Sequence, residues 1–376
     1  MRYDGSPPHS TDIPMALPDP ALARPLSLYL DCCRLLAAVL VVASHYGPYG
    51  VITRDIDSWV PDFGREAVMV FFVLSGFVIA YTTEQKDHSL RAYCIARCTR
   101  IYSVVLPILL LSFLGAGALV ALGNADPGRF YQLAKPWLYV PLHLLFMGEL
   151  WTINETPPLL APYWSLGFEV WYYALFGALF YLHGTRRVVA AGSLLLLFGP
   201  KLWLLLPVWA SGVLLYHWQK THAIARRPAL LGWLATLLLL AAFKLAGLET
   251  ALRELARASW PFPGLPLKSA DRYLADYLVC LLVLANFWCA KHAGFTALLR
   301  FERPIRALSS YTFTLYLVHA LVMGLWLILY RHDPGSAVDI AALTGLIVLA
   351  TWIVGQLTEH RKGWFRAGFE RLAPAR

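Results

Sequence analysis

Charge is scarce in this sequence: Asp, Glu, Lys and Arg make up 15% of its 376 residues, where soluble domains carry about 25%. That excludes an ordinary soluble surface. No polar stretch is long enough for a separate soluble domain, and no internal repeat stands out, so a solenoid is excluded as well. Cysteine is rare too, with six in the chain. Cys32 and Cys33 are adjacent, Cys94 and Cys98 are one helical turn apart, and Cys280 and Cys289 lie in an apolar run. None forms a Cys-x-x-Cys pair or has the His spacing of a zinc site, so neither a disulfide framework nor a metal centre is expected. The N-terminus lacks the apolar core of a signal peptide. Residues 1–25, rich in Pro, Ser and Asp, read as a disordered cytoplasmic tail.

What the chain has instead is apolar and aromatic bulk, 58% hydrophobic with 14 Trp and 19 Tyr. Spanning ~30 Å of hydrocarbon takes about 20 helical residues, and runs of that kind recur. They fall at 27–47, 64–82, 101–123, 163–183, 188–201, 203–219, 229–247, 273–290, 305–330 and 337–357, the fifth and sixth being short and split by Gly199 and Pro200. The expectation is an all-α membrane bundle of about ten transmembrane helices. Residues 137–150 are too short to cross and read as an interfacial or re-entrant piece. The net charge of +9 does not point to nucleic acid, because the basic residues concentrate in alternate loops, which sets both termini in the cytoplasm. Loop 248–272 resists that bias. It reads either as a contact for something acidic or sugar-like outside, or as a solvated loop with an amphipathic helix at 248–258.

Within this apolar background the first run, Leu28 to Gly47, carries Asp31, Arg34 and His45. A charge near a bilayer centre costs roughly 2.5–3.5 kcal/mol on insertion scales, so such groups face protein or a wet cavity. Arg34 and His45 are eleven positions apart, which is about three turns and ~16 Å on one helix face. Imidazole changes charge near neutral pH and suits a general base; the alternative for His45 is a hydrogen-bonded core residue.

Four further stretches stand out. Ser75-Gly76 in the second run favours close helix packing, and Ser75 lacks the turn of a nucleophile elbow. Arg97 and Arg100, at i,i+3 before Ile101-Tyr102, suit phosphate or lipid headgroups. Glu169 sits in PYWSLGFEVWYY, with Trp164 and Ser165 a turn earlier; a carboxylate there needs a partner, and pairing to an Arg is the structural alternative. Thr312, Tyr316 and His319 form one polar stripe, for packing or for substrate.

Together these segments resemble the acyltransferase-3 family of membrane O-acyltransferases over about residues 26–360. LDCCRLLAAVLVVASHYG is similar to the family's Arg, ten residues, then His. AVMVFFVLSGFVIAY matches its second span, and RCTRIYSVVLP resembles Arg-x-x-Arg-Ile-Tyr-Pro. WSLGFEVWYY resembles Trp-Ser-Leu-x-x-Glu, and LSSYTFTLYLVHALV the late Ser-Tyr and Tyr-Leu-x-His pattern. The chain departs from the family at Met69, where an acidic residue is common, at Ser103-Val104, which delays the proline to Pro107, and at Cys32, where Gly is usual.

The resemblance implies transfer of an acyl group, most often acetyl, from acyl-coenzyme A to a hydroxyl, usually of a carbohydrate for the cell surface. It implies a multi-pass protein of the bacterial cytoplasmic membrane, with acyl-coenzyme A as donor and no resident cofactor or metal. Arg97 and Arg100 would take the coenzyme A phosphates, Arg34 would align the donor, His45 would act as base and Glu169 would orient or charge-balance the site. Ser75, Trp164, Ser165, Tyr316 and His319 would contact substrate. Macrolide-like or lipid acceptors stay open, as does a membrane transporter or an inactive scaffolding subunit. Beyond the 26–360 domain the sequence has a basic cytoplasmic tail, 361–376, so a second transfer step would fall to a separate extracytoplasmic protein.

Overall fold

The computed structural model describes residues 22–60, 62–262 and 264–372. Most of the expected N-terminal tail, 1–21, and the last four residues lie outside them. The chain is 81% helix, without a strand among the described residues.

Helix α1 (Arg24–Ser44) opens with Pro25 in its first turn and ends at His45. Two short helices follow, α2 (Tyr46–Tyr49), stopped by Gly50 at φ 76°, and α3 (Arg54–Trp59), capped by the Thr53 side chain. Next come α4 (Gly64–Gln85) and α5 (Leu90–Ala121), the latter capped by Ser89. At 32 residues α5 is about 48 Å long. That exceeds the ~30 Å hydrocarbon thickness. The 137–150 piece is α6 (Pro136–Leu144) and a 3₁₀ turn, Met147–Glu149. Then follow α7 (Trp164–Tyr181), α8 (Gly184–Phe198) and α9 (Pro200–Trp218). Gly199, at φ 77°, and Pro200 separate the last two, which bend by 119°.

The remainder is α10 (Arg226–Leu245), α11 (Leu248–Ala258), α12 (Tyr273–Ala293), α13 (Glu302–Ser309), α14 (Thr312–Leu329), α15 (Ala337–Leu357) and α16 (Lys362–Leu372). Among the described residues, seven helical segments are long and apolar enough to cross a membrane, or eight if the bent pair forms one span. That is fewer than the ten expected. The shortfall has a physical origin: α8, ended by Gly199, has only 15 residues, and polar and aromatic side chains dilute the hydropathy of α7 and α9. Helix α11 occupies the stretch expected to form an amphipathic helix, and its basic residues are paired at the surface. Arg253 and Arg257 both bond Asp271, and Arg272 bonds Glu249 at 2.7 Å.

The centre of the bundle is the crossing of α4 and α9. A Cβ at Gly76 would lie 2.1 Å from the Trp209 carbonyl oxygen, and one at Gly212 would lie 2.0 Å from that of Val73. Only paired glycines let these two backbones touch. Arg65 and Glu66 begin α4 and Glu84 ends it, so the ion pairs Arg65–Asp276 (2.5 Å) and Glu84–Lys220 (2.5 Å) mark opposite ends of the bundle.

Candidate active site

Helices α1, α4, α5, α7 and α14 enclose one polar cavity. Its wall includes Arg34, Ser75, Arg97, Arg100, Ser165, Glu169, Tyr173 and Tyr316. Seven of the ten residues singled out from sequence therefore converge here: Arg34, Ser75, Arg97, Arg100, Ser165, Glu169 and Tyr316. Trp164, His45 and His319 do not line it.

The floor is a hydrogen-bonded cluster around Glu169. Ser75 Oγ donates to Glu169 Oε1 at 2.7 Å, and the Tyr173 hydroxyl donates to the same oxygen. Trp209 Nε1 in turn donates to Ser75 Oγ at 3.1 Å. The close α4–α9 crossing thus does a second job, because it brings the Trp209 indole within reach of Ser75. Among the described residues Glu169 forms no ion pair with an arginine; hydroxyls bond it instead, as a carboxylate removed from water requires.

The cationic wall differs residue by residue. Arg34 Nη1 bonds Asp31 Oδ1 at 3.0 Å, and Asp31 also holds Arg306 at 3.1 Å. Arg97 pairs with Asp87 at 3.2 Å and lies over the rings of Tyr93 and Tyr173. Arg100 has no carboxylate within ion-pair distance among the described residues, and its side chain opens into the cavity. It is the unspent cation of the site.

Toward the Glu84 end the cavity continues into a wider mouth sharing Arg34, Arg97 and Arg100, and adding Glu359, His360, Lys362 and Arg366. The sequence reading missed these four. They lie more than 250 residues from the arginines, and α16 reaches the mouth only by packing along α5, where Phe369 meets Tyr102 at 6.0 Å. A periodic basic pattern in 361–371 was the one available signal.

At the other end of the cavity stand Phe71 and Tyr316, edge to face at 5.7 Å. Tyr316 is 2.7 Å from Ser165 Oγ and 3.1 Å from the Pro162 carbonyl. Behind it lies His319, 6.3 Å from the Tyr316 ring, and then His45, 5.1 Å from His319. His45 Nδ1 approaches the Val41 carbonyl at 2.7 Å and His319 Nδ1 the Leu315 carbonyl at 3.0 Å. A carbonyl only accepts, so in each ring Nδ1 is the donating nitrogen. His319 Nε2 is buried without a partner. Beyond His45, Tyr49 (5.8 Å) borders a separate cleft with Arg129, Gln132 and Gly324.

Trp164 lies elsewhere, beneath the Arg65 guanidinium at 4.9 Å. Arg65 forks onto both oxygens of Asp276 at 2.9 and 2.5 Å. Close by, Lys201 pairs with Glu149 at 2.7 Å with both side chains almost fully buried, and burial pushes the Glu149 carboxyl above its usual range. His143 in the last turn of α6, packed against Tyr139 and Tyr163, has its pKa driven down to about 4 by burial and stays neutral. Among the described residues no three His, Cys, Asp or Glu side chains gather as metal ligands.

Residues 27–356 match the family model of the acyltransferase-3 domain. A curated relative, an exopolysaccharide production protein (ExoZ) of Rhizobium meliloti, is 31% identical over 142 residues. That match covers 36% of this chain and 40% of the relative. No solved structure matches the chain.

Proposed function

The chain belongs to the acyltransferase-3 family, and from that premise we propose that it is a membrane O-acyltransferase moving an acyl group, acetyl in the simplest case, from acyl-coenzyme A to a carbohydrate hydroxyl. The observation carrying this reading is the cavity that joins the arginine mouth to the Glu169 cluster. Tyr316 closes its far end, and the paired imidazoles stand behind that ring.

In this reading Arg97 and Arg100 hold donor phosphates and Arg34 aligns the pantetheine arm. Helix α1 is unbroken from Arg24 to Ser44, so the ~16 Å between Arg34 and His45 stands, and the extended arm covers it. His45 Nε2 takes the proton of the acceptor hydroxyl while that oxygen attacks the thioester carbonyl carbon. The C–S bond breaks, and the proton returns to the departing sulfur, releasing free coenzyme A and the ester. His319 lines the acceptor side. The hydroxyls of Ser75 and Tyr173 fix Glu169 as a local counter-charge to Arg100.

Ten crossings, by α1, α4, α5, α7, α8, α9, α10, α12, α14 and α15, with both termini in the cytoplasm, belong to the same proposal. They rest on the bias of Lys and Arg toward alternate loops, which also puts the arginine mouth where coenzyme A is made. The membrane would be the bacterial cytoplasmic membrane. A carbohydrate acceptor is favoured by the relative's part in exopolysaccharide production.

The test is mass analysis of surface and exported glycans from cells with and without the protein, paired with labelled acetyl-coenzyme A and purified protein. The reading predicts that deletion removes acetyl groups from a glycan and that label passes to that glycan. Label passing only to a lipid or small hydroxylated compound would change the acceptor class. A substrate that crosses the membrane chemically unaltered, with no thioester consumed, would replace the enzyme by a transporter.

A further inference from the structure

The mouth that opens from Arg34, Arg97 and Arg100 is lined by five cations, the other two being Lys362 and Arg366, and by one carboxylate, Glu359. The two added cations sit in the first two turns of α16, beyond the residues 27–356 that match the family domain. Lys362 has no ion pair among the described residues. Arg366 meets Glu370 at 2.9 Å through Nε, which leaves its terminal nitrogens to donate. Gly363 lines the same wall, so the positive end of α16 adds its backbone dipole to these charges.

A donor that enters thioester first leaves its nucleotide at the lip. Coenzyme A carries a diphosphate and, separately, a ribose phosphate monoester with about −1.5 to −2 charge at neutral pH. Arg97 is already engaged by Asp87, so the inner arginines supply enough for the diphosphate and little more. We propose that Lys362 and Arg366 bind the 3′-phosphate of the donor nucleotide, so that α16 completes a donor site which the family domain only begins. This rests on the acyl-coenzyme A reading above and adds a preference to it: the enzyme selects coenzyme A over dephospho-coenzyme A. His360, within 3.4 Å of Ser310 and packed on Tyr311 at 4.8 Å, fixes the start of α16 against the bundle.

The experiment compares acetyl-coenzyme A with acetyl-dephospho-coenzyme A, which lacks only that phosphate, using purified full-length protein in lipid nanodiscs. Binding of the two coenzymes is measured beside turnover. The wild type should show a KM about tenfold lower for the phosphorylated donor. Lys362→Gln with Arg366→Gln should raise that KM to the dephospho value, leaving kcat and the dephospho KM unchanged. Arg361→Gln, a neighbouring basic residue stacked on Trp364 at 4.8 Å and absent from the mouth, should change neither. Equal donors in the wild type, or a double variant that weakens both donors alike, would overturn the 3′-phosphate site while leaving acyl-coenzyme A as donor. An equal effect of Arg361→Gln would overturn it too, by reducing it to the general field of the basic end. A wild type that binds neither coenzyme would overturn the donor reading and this site together.

Discussion

His45 and His319 meet edge to face with ring centroids 5.1 Å apart, each holding its Nδ1 proton on the carbonyl one turn earlier in its own helix. The Nε2 edges of both rings are left clear of these backbone contacts, with Tyr316 between them and the arginine cavity. The two carbonyls fix the orientation of each ring.

Removing the base should be severe. His45→Ala is expected to lower turnover by about 10²–10⁴-fold, the usual contribution of general base catalysis, at unchanged membrane level. His319→Ala should cost less, and the double variant little more than His45→Ala alone, because groups acting as a unit are not additive. Acceptor-dependent coenzyme A release measures all three.

The two arginines of α5 should separate. Arg100, with no carboxylate within ion-pair distance among the described residues, is predicted to control donor binding. Arg100→Ala should raise the donor KM about tenfold or more, the loss of a charge-assisted contact, with Arg100→Lys intermediate because a point charge replaces a fork. Arg97→Ala should raise it less, since Arg97 is shared with Asp87. Donor titrations at saturating acceptor decide the order.

Helix crossing should be intolerant of a single methyl group. Gly76→Ala puts a Cβ against the Trp209 carbonyl and should destabilise by about 1–3 kcal/mol, as overpacking does. It should also loosen the Trp209–Ser75–Glu169 bonds, so activity falls even at temperatures where the protein remains folded. Gly117→Ala, with nothing within 4 Å of the added carbon, should be neutral. Thermal unfolding in detergent compares them.

Away from the cavity, the Lys201–Glu149 pair should behave as a buried ion pair. Lys201→Met strands the buried Glu149 carboxyl without its cation, beside Ser269 at 2.7 Å, and should cost about 3–5 kcal/mol. Adding Glu149→Leu should recover much of that, because the stranded carboxyl is gone. Unfolding midpoints of the two variants and the wild type test this.

Much of the site was legible because membrane burial makes polar residues conspicuous. Arg34 and Glu169 were each improbable in an apolar run, Arg97 and Arg100 stood out by their i,i+3 spacing before the third run and Tyr316 by its polar stripe, and all five line one cavity. Ser75-Gly76 read as packing, which Gly76 fulfils, yet Ser75 also bonds Glu169; spacing along one helix carries no sign of a partner on another. Trp164 shares the Glu169 segment but lies under Arg65, because side chains a turn and a half apart on α7 leave different faces. Helix count was less legible, since aromatic residues and a Gly-Pro break lower hydropathy without preventing helix formation. The α16 contribution was hidden for a different reason: its cations look like any basic tail until packing on α5 brings them to the mouth.

The most direct measurement is acceptor-dependent release of free coenzyme A from acetyl-coenzyme A by purified protein in nanodiscs, wild type beside His45→Ala. The account predicts release by the wild type, with matching acetyl ester on the acceptor, and almost none by the variant despite undiminished donor binding. Release by His45→Ala at the wild-type rate would contradict it.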